Sequence, residues 1–167
     1  LLSDKNQTLF YKSKIASNGK KKIIGLSWKT LTNKRHALRR NINLEDLIRT
    51  INDANTIFLN LQYGDVINEI AEIEKKLAIK IENFEEINNF YHLDSLASLI
   101  CICDYVVTID NTTAHLAGAL GVKTKLMLDS TPSEFWGNEK KDNYLYKSIE
   151  IFRQQEENNW NLPLEDL

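Results

Sequence analysis

Five short apolar segments alternate with amphipathic segments along most of this chain, and this alternation limits the folds open to it more than any other feature. The apolar segments are residues 22–28, 56–61, 78–81, 105–109 and 124–128. Several of them are apolar almost throughout, which is typical of parallel strands covered on both faces. The pattern therefore predicts an α/β fold with a Rossmann-like, doubly wound parallel sheet.

Helices are predicted between these strands from apolar spacing and from signals at helix ends. Residues 44–52 and 112–120 are predicted helices, and Gly121 stands where a glycine ends many helices. Asp94 is predicted to be the N-cap of a further helix. A fourth helix is predicted by one stripe of apolar residues, namely Ile67, Ile70, Ile73 and Leu77.

The 167 residues are enough for one domain with a substantial core. Residues 1–20 are polar and rich in lysine, and we interpret them as a connector that leads into a domain over residues 21–167. Because the first residue is Leu1 and not Met, we expect the chain to be a piece of a longer protein. No apolar run approaches the ~20 residues that cross a bilayer, so no membrane span is predicted.

Cysteine and histidine give no sign of a metal site. Cys101 and Cys103 stand too close in sequence for an unstrained disulfide, so we expect buried free thiols, which suits a reducing cytoplasm. His36, His92 and His115 lack the spacing of metal ligands. The sequence therefore predicts a cytoplasmic protein with neither a metal nor a cofactor.

Positive charge is concentrated near the start of the chain. Residues 5–44 contain eleven Lys and Arg and no acid, whereas residues 45–167 contain 22 acids and ten Lys and Arg. The basic stretch is either a solvated face or a cationic patch for an anionic ligand. Nucleic-acid binding is disfavoured, because the rest of the domain is acidic and aromatic residues do not interleave with the basic ones.

Polar side chains gather where the fourth predicted strand ends and the next helix begins. Asp110, Asn111, Thr112 and Thr113 occupy the turn and the first helical residues, and His115 follows. A helix N-terminus offers free N–H groups and positive potential, to which threonine hydroxyls add donors for an anion. The alternative is a plain N-cap by Asp110 or Asn111. The chain has no glycine-rich phosphate loop, which disfavours an ordinary dehydrogenase or P-loop enzyme.

Several motifs occur in a fixed order between residues 20 and 167: "IGLSWKT", "RRNINLEDL", "FLNLQYGD", "LDSLASLICICDYVVTIDNTTAHLAGALGVKTKLML", "PSEFWG" and "IEIFRQ". This order resembles the C-terminal half of GT-B glycosyltransferases. The resemblance is closest to the heptosyltransferase-like enzymes and to the similar domain that follows tetratricopeptide repeats in many bacterial proteins.

In that family this half of the protein binds the nucleotide diphosphate of a sugar donor. The resemblance implies that residues 110–113 receive the diphosphate or the donor sugar, and that His115 corresponds to the histidine of the family's Ala-His-Leu signature. It also implies a place for five further residues, with Trp28, Lys29 and Arg40 reaching the phosphates and Gln62 and Tyr63 lying at the nucleotide.

The reaction that the resemblance implies is a metal-independent glycosyl transfer with inversion. The proton-accepting group belongs to the acceptor half in the heptosyltransferases, so we identify no catalytic residue here and expect the fragment alone to be inactive. The implied partners are the nucleotide-sugar donor and an acceptor half or repeat domain of the same protein. The alternative function is a binding or scaffold module that keeps the fold and has lost the chemistry.

Two further tryptophans also have structural interpretations. Trp136 either forms a wall of the donor pocket or closes the core. Trp160, near the end of the chain, is predicted to anchor the C-terminal segment by packing.

Overall fold

A parallel sheet carries the fold in the computed structural model, which describes residues 1–15, 22–32, 34–131, 135–137 and 144–167. Within these residues the strands are β1 (Lys22–Ser27), β2 (Thr56–Asn60), β3 (Ile81–Glu82), β4 (Tyr105–Ile109), β5 (Thr124–Leu128) and β6 (Ile149–Arg153). Their order is β3-β2-β1-β4-β5-β6, and every pair is parallel. The predicted Rossmann-like α/β fold is confirmed.

Helices cover both faces of this sheet. They are α1 (Lys5–Lys14), α2 (Arg35–Leu38), α3 (Leu44–Ile51), α4 (Ile67–Leu77), α5 (Leu93–Cys101), α6 (Thr112–Leu120) and α7 (Asn161–Glu165). Residues of α3, α4 and α7 share one apolar cluster with β1 and β4, whereas those of α1, α5 and α6 pack on the opposite face. Within the described residues no helix has the length and apolarity needed to span a membrane.

The sheet reverses its direction of growth between β1 and β4. From β1 the chain builds β2 and β3 on one side, and it then returns to place β4, β5 and β6 on the other. Ser27 at the end of β1 pairs with Thr108 near the end of β4. In open α/β sheets the crevice beyond such a switch point is where ligands bind, so the fold itself indicates where to look for a site.

The first helix packs on the domain. Tyr11 and Ile15 are buried in the same apolar cluster as α5, and the Tyr11 ring meets Phe84 edge-on at 4.9 Å between centroids. Asp4 caps α1 by accepting a hydrogen bond from the amide of Gln7. The predicted boundary between connector and domain falls within residues 16–21, outside the described residues, and it stays a prediction.

Two element boundaries differ from the sequence-based expectation. The strand expected at 78–81 is found at Ile81–Glu82, because Ala78 ends α4 in the left-handed conformation with φ of 52°. The expectation that Asp94 caps α5 is wrong. The N-cap is His92, so Asp94 lies in the first helical turn, where its negative charge is favourable.

The sixth strand was not predicted from the sequence. β6 is an edge strand that carries the exposed Glu150 among its buried residues and ends in Arg153, so its apolar run is short. The expected role of Gly121 is confirmed, since this residue ends α6 with φ of 73°.

Candidate functional site

The turn from β4 into α6 is organised by Asn111. Its Oδ1 accepts hydrogen bonds from the amides of Thr113 at 2.9 Å and Ala114 at 3.4 Å, and from the Thr108 hydroxyl at 3.1 Å. Asn111 therefore serves as the N-cap and satisfies two of the first amides of the helix. Thr113 is buried, whereas Thr112, the first helical residue, is exposed to solvent.

Asp110 connects this turn to two distant parts of the chain. Its Oδ2 lies 3.1 Å from Arg40 Nη1, and its Oδ1 accepts a hydrogen bond from Trp136 Nε1 at 2.8 Å. Arg40 Nη1 also donates to the Asp110 backbone carbonyl at 3.3 Å. Both carboxylate oxygens of Asp110 therefore have partners, and the residue holds Arg40 at the N-terminus of α6.

His115 lies one turn into α6 against aromatic side chains. Its ring stacks on Trp136 with 4.7 Å between centroids and 24° between planes, and its Nδ1 lies 3.4 Å from the Tyr146 hydroxyl. Trp136 is 1% exposed, so it closes the core, and its indole N–H reaches the Asp110 turn. His115 and Trp136 therefore pack together next to the turn from β4 into α6.

Close packing keeps α6 near the sheet. Ala114 and Ala117 are fully buried, and a Cβ added at Gly118 would lie 2.4 Å from Cγ of Tyr146. These small residues allow the helix to approach its neighbours, which fixes where its N-terminus points.

Trp28 and Lys29 turn away from the α6 corner. Trp28 is fully buried and its Nε1 donates to Glu69 Oε1 at 3.0 Å. The Lys29 ammonium forms an ion pair with the other oxygen of Glu69 on α4. The structure therefore brings Arg40 to the corner, whereas these two side chains lie with Glu69.

Gln62 and Tyr63 hold the loop that leaves β1. Gln62 is 2% exposed and its Oε1 accepts from the backbone amides of Trp28 and Lys29. The Tyr63 hydroxyl lies 3.2 Å from Thr30 Oγ1. Both residues follow β2 on the same edge of the sheet as Asp110.

A second pair of charges, Asp129 and Arg153, lies at this edge and was missed by the sequence analysis. Burial raises the pKa of the Asp129 carboxyl and Asp110 raises it further, while Arg40, the Thr131 amide and Arg153 oppose the shift. Burial lowers the pKa of Arg153, with Asp129 opposing, and Arg153 Nη2 donates to the Gly137 carbonyl at 2.7 Å. The sequence feature that could have found them is that Asp129 follows the apolar run of β5 and Arg153 ends the apolar run of β6. The run of β6 was not recognised as a strand.

The direction of the Asp129 shift sets an expected pH dependence. A raised native pKa means that the folded state binds this proton more tightly than the unfolded chain does, so ionisation of Asp129 costs stability as the pH rises through the native pKa. Asp129→Asn cannot ionise, and we expect it to melt at a higher temperature than the native chain at pH 7. The difference should vanish below the ordinary aspartate pKa of about 4.

Melting curves between pH 3 and pH 8 measure this effect. Asp94→Asn is the matched control, because Asp94 is exposed in the first turn of α5. A lower melting temperature for Asp129→Asn than for the native chain at pH 7 would contradict the expectation.

A cavity of about 460 Å³ lies beyond β2 and β3 at the same edge of the sheet. Five carboxamide residues contribute to its lining: Asn60, Gln62, Asn83, Asn88 and Asn89. A larger cleft of about 630 Å³ lies between α3 and α7 and is lined in part by Asp46, Arg49 and Trp160. None of the residues predicted for the site lines that cleft, so we do not include the cleft in the candidate site.

Metal ligands are not grouped in the part of the chain that the structure describes. Within these residues no cluster of three or more His, Cys, Asp or Glu side chains could hold an ion. Arg40 lies at the α6 corner, and both Arg40 and Arg153 lower the pKa of Asp129 at the same edge of the sheet.

Comparison with known proteins adds one sequence relative and several structural ones. No family model matches the chain. Protein FlbA of Caulobacter vibrioides is 31% identical over 121 residues, which cover 72% of this chain and 20% of FlbA. The chain thus spans about a fifth of the length of this curated relative.

Two solved structures share the fold over nearly the whole chain. ADP-heptose lipopolysaccharide heptosyltransferase II of E. coli superimposes with a TM-score of 0.69 over 99% of this chain and 50% of its own, at 14% identity. A family 9 glycosyl transferase of Veillonella parvula gives 0.68 over 93% of this chain and 42% of its own, at 11% identity. At these identities the likeness is one of fold. The chain therefore shares its α/β fold with part of each of these two structures and spans about half of their length.

Proposed function

We propose that this domain binds the nucleotide diphosphate of a sugar donor at the carboxyl edge of its sheet, as the donor half of a metal-independent, inverting glycosyltransferase. The observation that carries the proposal is the meeting of Arg40 with the N-terminus of α6 beside Asp110, at the switch point between β1 and β4. A guanidinium and a helix N-terminus both favour an anion, and here they favour it at one place.

The diphosphate would lie between Arg40 and Thr112. Arg40 contacts Asp110 through Nη1, and its side chain is 34% exposed, so part of it is accessible to a ligand. Thr112 offers an exposed hydroxyl and the first amide of α6. Asn111 already caps the next two amides, so Arg40 and Thr112 carry most of the binding to the phosphates.

The nucleoside would extend towards the cavity beyond β2 and β3. Carboxamides can donate and accept at once, which suits the mixed edges of a base and the hydroxyls of a ribose. Asn83 and Asn88 are exposed at this cavity and are the residues we assign to those contacts. The volume of about 460 Å³ lies in the range of small-molecule sites.

The chemistry of this half would be the stabilisation of charge on the departing diphosphate. Arg40 and the α6 dipole are fixed before the reaction, so they need little reorganisation as that charge develops. The acceptor substrate supplies the attacking hydroxyl, and the group that takes its proton would belong to another part of the full-length protein. Asp110 is paired with Arg40 and Trp136, which leaves it a structural role.

Calorimetric titration of the chain with UDP, ADP and GDP tests the proposal. We expect at least one of the three to bind with a dissociation constant below a millimolar, and the matching nucleoside without phosphates to bind far more weakly. Absence of binding by all three at millimolar ligand would contradict the proposal.

A scaffold module is the second candidate, and one observation favours it. Lys29 and Asp110, two of the residues implied at the ligand, are engaged with Glu69, Arg40 and Trp136 inside the protein. If this candidate is correct, Arg40→Ala leaves the cellular role of the full-length protein unchanged and none of the three nucleotides binds.

A further inference from the structure

Polar side chains link the ends of β4, β1 and β2 through consecutive hydrogen bonds. Asn111 Nδ2 donates to Ser27 Oγ at 2.9 Å, and the Ser27 hydroxyl donates to Gln62 Oε1 at 3.3 Å. Ser27 is fully buried and Gln62 is 2% exposed. Each group donates in the same direction along the series, which satisfies the hydroxyl both as acceptor and as donor.

Gln62 also fixes the backbone that leaves β1. Its Oε1 accepts from the amides of Trp28 and Lys29, each at 2.9 Å. These amides follow the last residue of β1, where pairing with β2 has ended. The side chain of Gln62 therefore supplies the acceptor that a neighbouring strand supplies within the sheet. At such a buried position, loss of this acceptor would leave two amides unsatisfied.

The opposite end of the series holds α6. The oxygen of the Asn111 carboxamide accepts the Thr113 amide, while the nitrogen of the same group donates to Ser27. The orientation of Asn111 is thus set from both sides. The loop after β1 and the N-terminus of α6 are connected through Gln62, Ser27 and Asn111.

We propose that Gln62 is a positioning residue that acts with Ser27 and Asn111 to hold the loop that leaves β1 and the N-terminus of α6 in the relative geometry that binds a diphosphate. This inference rests on the proposed function of that site. Gln62 acts through the two loops, because its side-chain oxygen is shared between the Ser27 hydroxyl and two backbone amides. Removing the Ser27 hydroxyl should therefore weaken ligand binding although Ser27 is buried away from the ligand.

Ser27→Ala and Gln62→Met test this inference with Ser98→Ala as the matched control. Ser98 is also fully buried, and its hydroxyl donates to the Asp94 carbonyl on α5. We expect Ser27→Ala to weaken binding of the tightest nucleoside diphosphate about fivefold, the size of one lost hydrogen bond. Gln62→Met should weaken it more, and Ser98→Ala should bind like the native chain. If Gln62→Met does not fold, Ser27→Ala decides.

Amide hydrogen exchange provides a readout that needs no ligand. We expect the Thr113 and Trp28 amides to exchange faster in Ser27→Ala than in the native chain. In Ser98→Ala their exchange rates should equal those of the native chain. Native exchange rates at these amides would overturn the inference, and so would faster exchange combined with native affinity. If exchange is faster but the native chain binds no diphosphate, the proposed function fails while the role of Gln62 in holding the two loops stands.

Discussion

Replacing Arg40 with alanine is expected to lower the affinity for a nucleoside diphosphate about thirtyfold, which corresponds to ~2 kcal/mol. The physical reason is that Arg40 is the guanidinium held at the N-terminus of α6, where it would make charge-assisted hydrogen bonds to phosphate oxygens. The affinity of Arg40→Lys should lie between those of the native chain and Arg40→Ala, because an ammonium keeps the charge and loses the planar pair of donors. Isothermal titration of the three proteins measures the series.

Arg49→Ala is the control for the loss of one positive charge. Arg49 lies on α3, is 56% exposed and pairs with Glu45 one turn away. Its removal changes the net charge by the same amount and should leave affinity within about twofold of the native chain. Equal losses in the two variants would show that the net charge, and not the position of Arg40, governs binding.

Asp110→Ala is expected to lower the free energy of unfolding by about 2–4 kcal/mol, the largest stability effect that we foresee at the site. The substitution removes the acceptor of the buried Trp136 N–H and the partner of Arg40 at the same time. For a domain of this size, the melting temperature should fall by about 5–12 °C. Asp110→Asn should lose less, because its amide oxygen can still accept from Trp136.

Thermal and urea unfolding of these variants measure that effect. Asp94→Ala provides the comparison, because Asp94 is an exposed aspartate at the start of a helix. A melting temperature for Asp110→Ala equal to that of the native chain would show that Asp110 does not organise the corner in the way that its contacts indicate.

The fold was largely predictable because its strands are buried on both faces. β1, β2, β4 and β5 each carry a short, largely apolar run, and their length and alternation with amphipathic segments identify them as buried strands. β3 and β6 were shifted or missed because one has two residues and the other is an edge strand with an exposed glutamate. For such short edge segments the local sequence holds too little signal.

The site was predictable at the level of loops but not of individual side chains. The carboxyl ends of parallel strands share one edge, and the family resemblance implied that Asp110 and the loop after β1 meet there at the phosphates. The direction taken by Lys29 depends on Glu69, which lies 40 residues later in the chain. Asp129 likewise acquires its environment from burial and from the charge of Arg40, with a smaller effect of Arg153 across β5 and β6. Such contacts between distant residues are set by tertiary packing, which the spacing of residues in the sequence does not predict.

The most direct test follows backbone and arginine side-chain N–H signals by NMR while inorganic pyrophosphate is added to the ¹⁵N-labelled chain. If the Arg40 guanidinium and the N-terminus of α6 bind one diphosphate, the NMR signals of the Thr112 amide and the Arg40 Nε–H should shift together along a single saturation curve. Shifts confined to the cleft around Arg49, with Thr112 and Arg40 unmoved, would contradict the account.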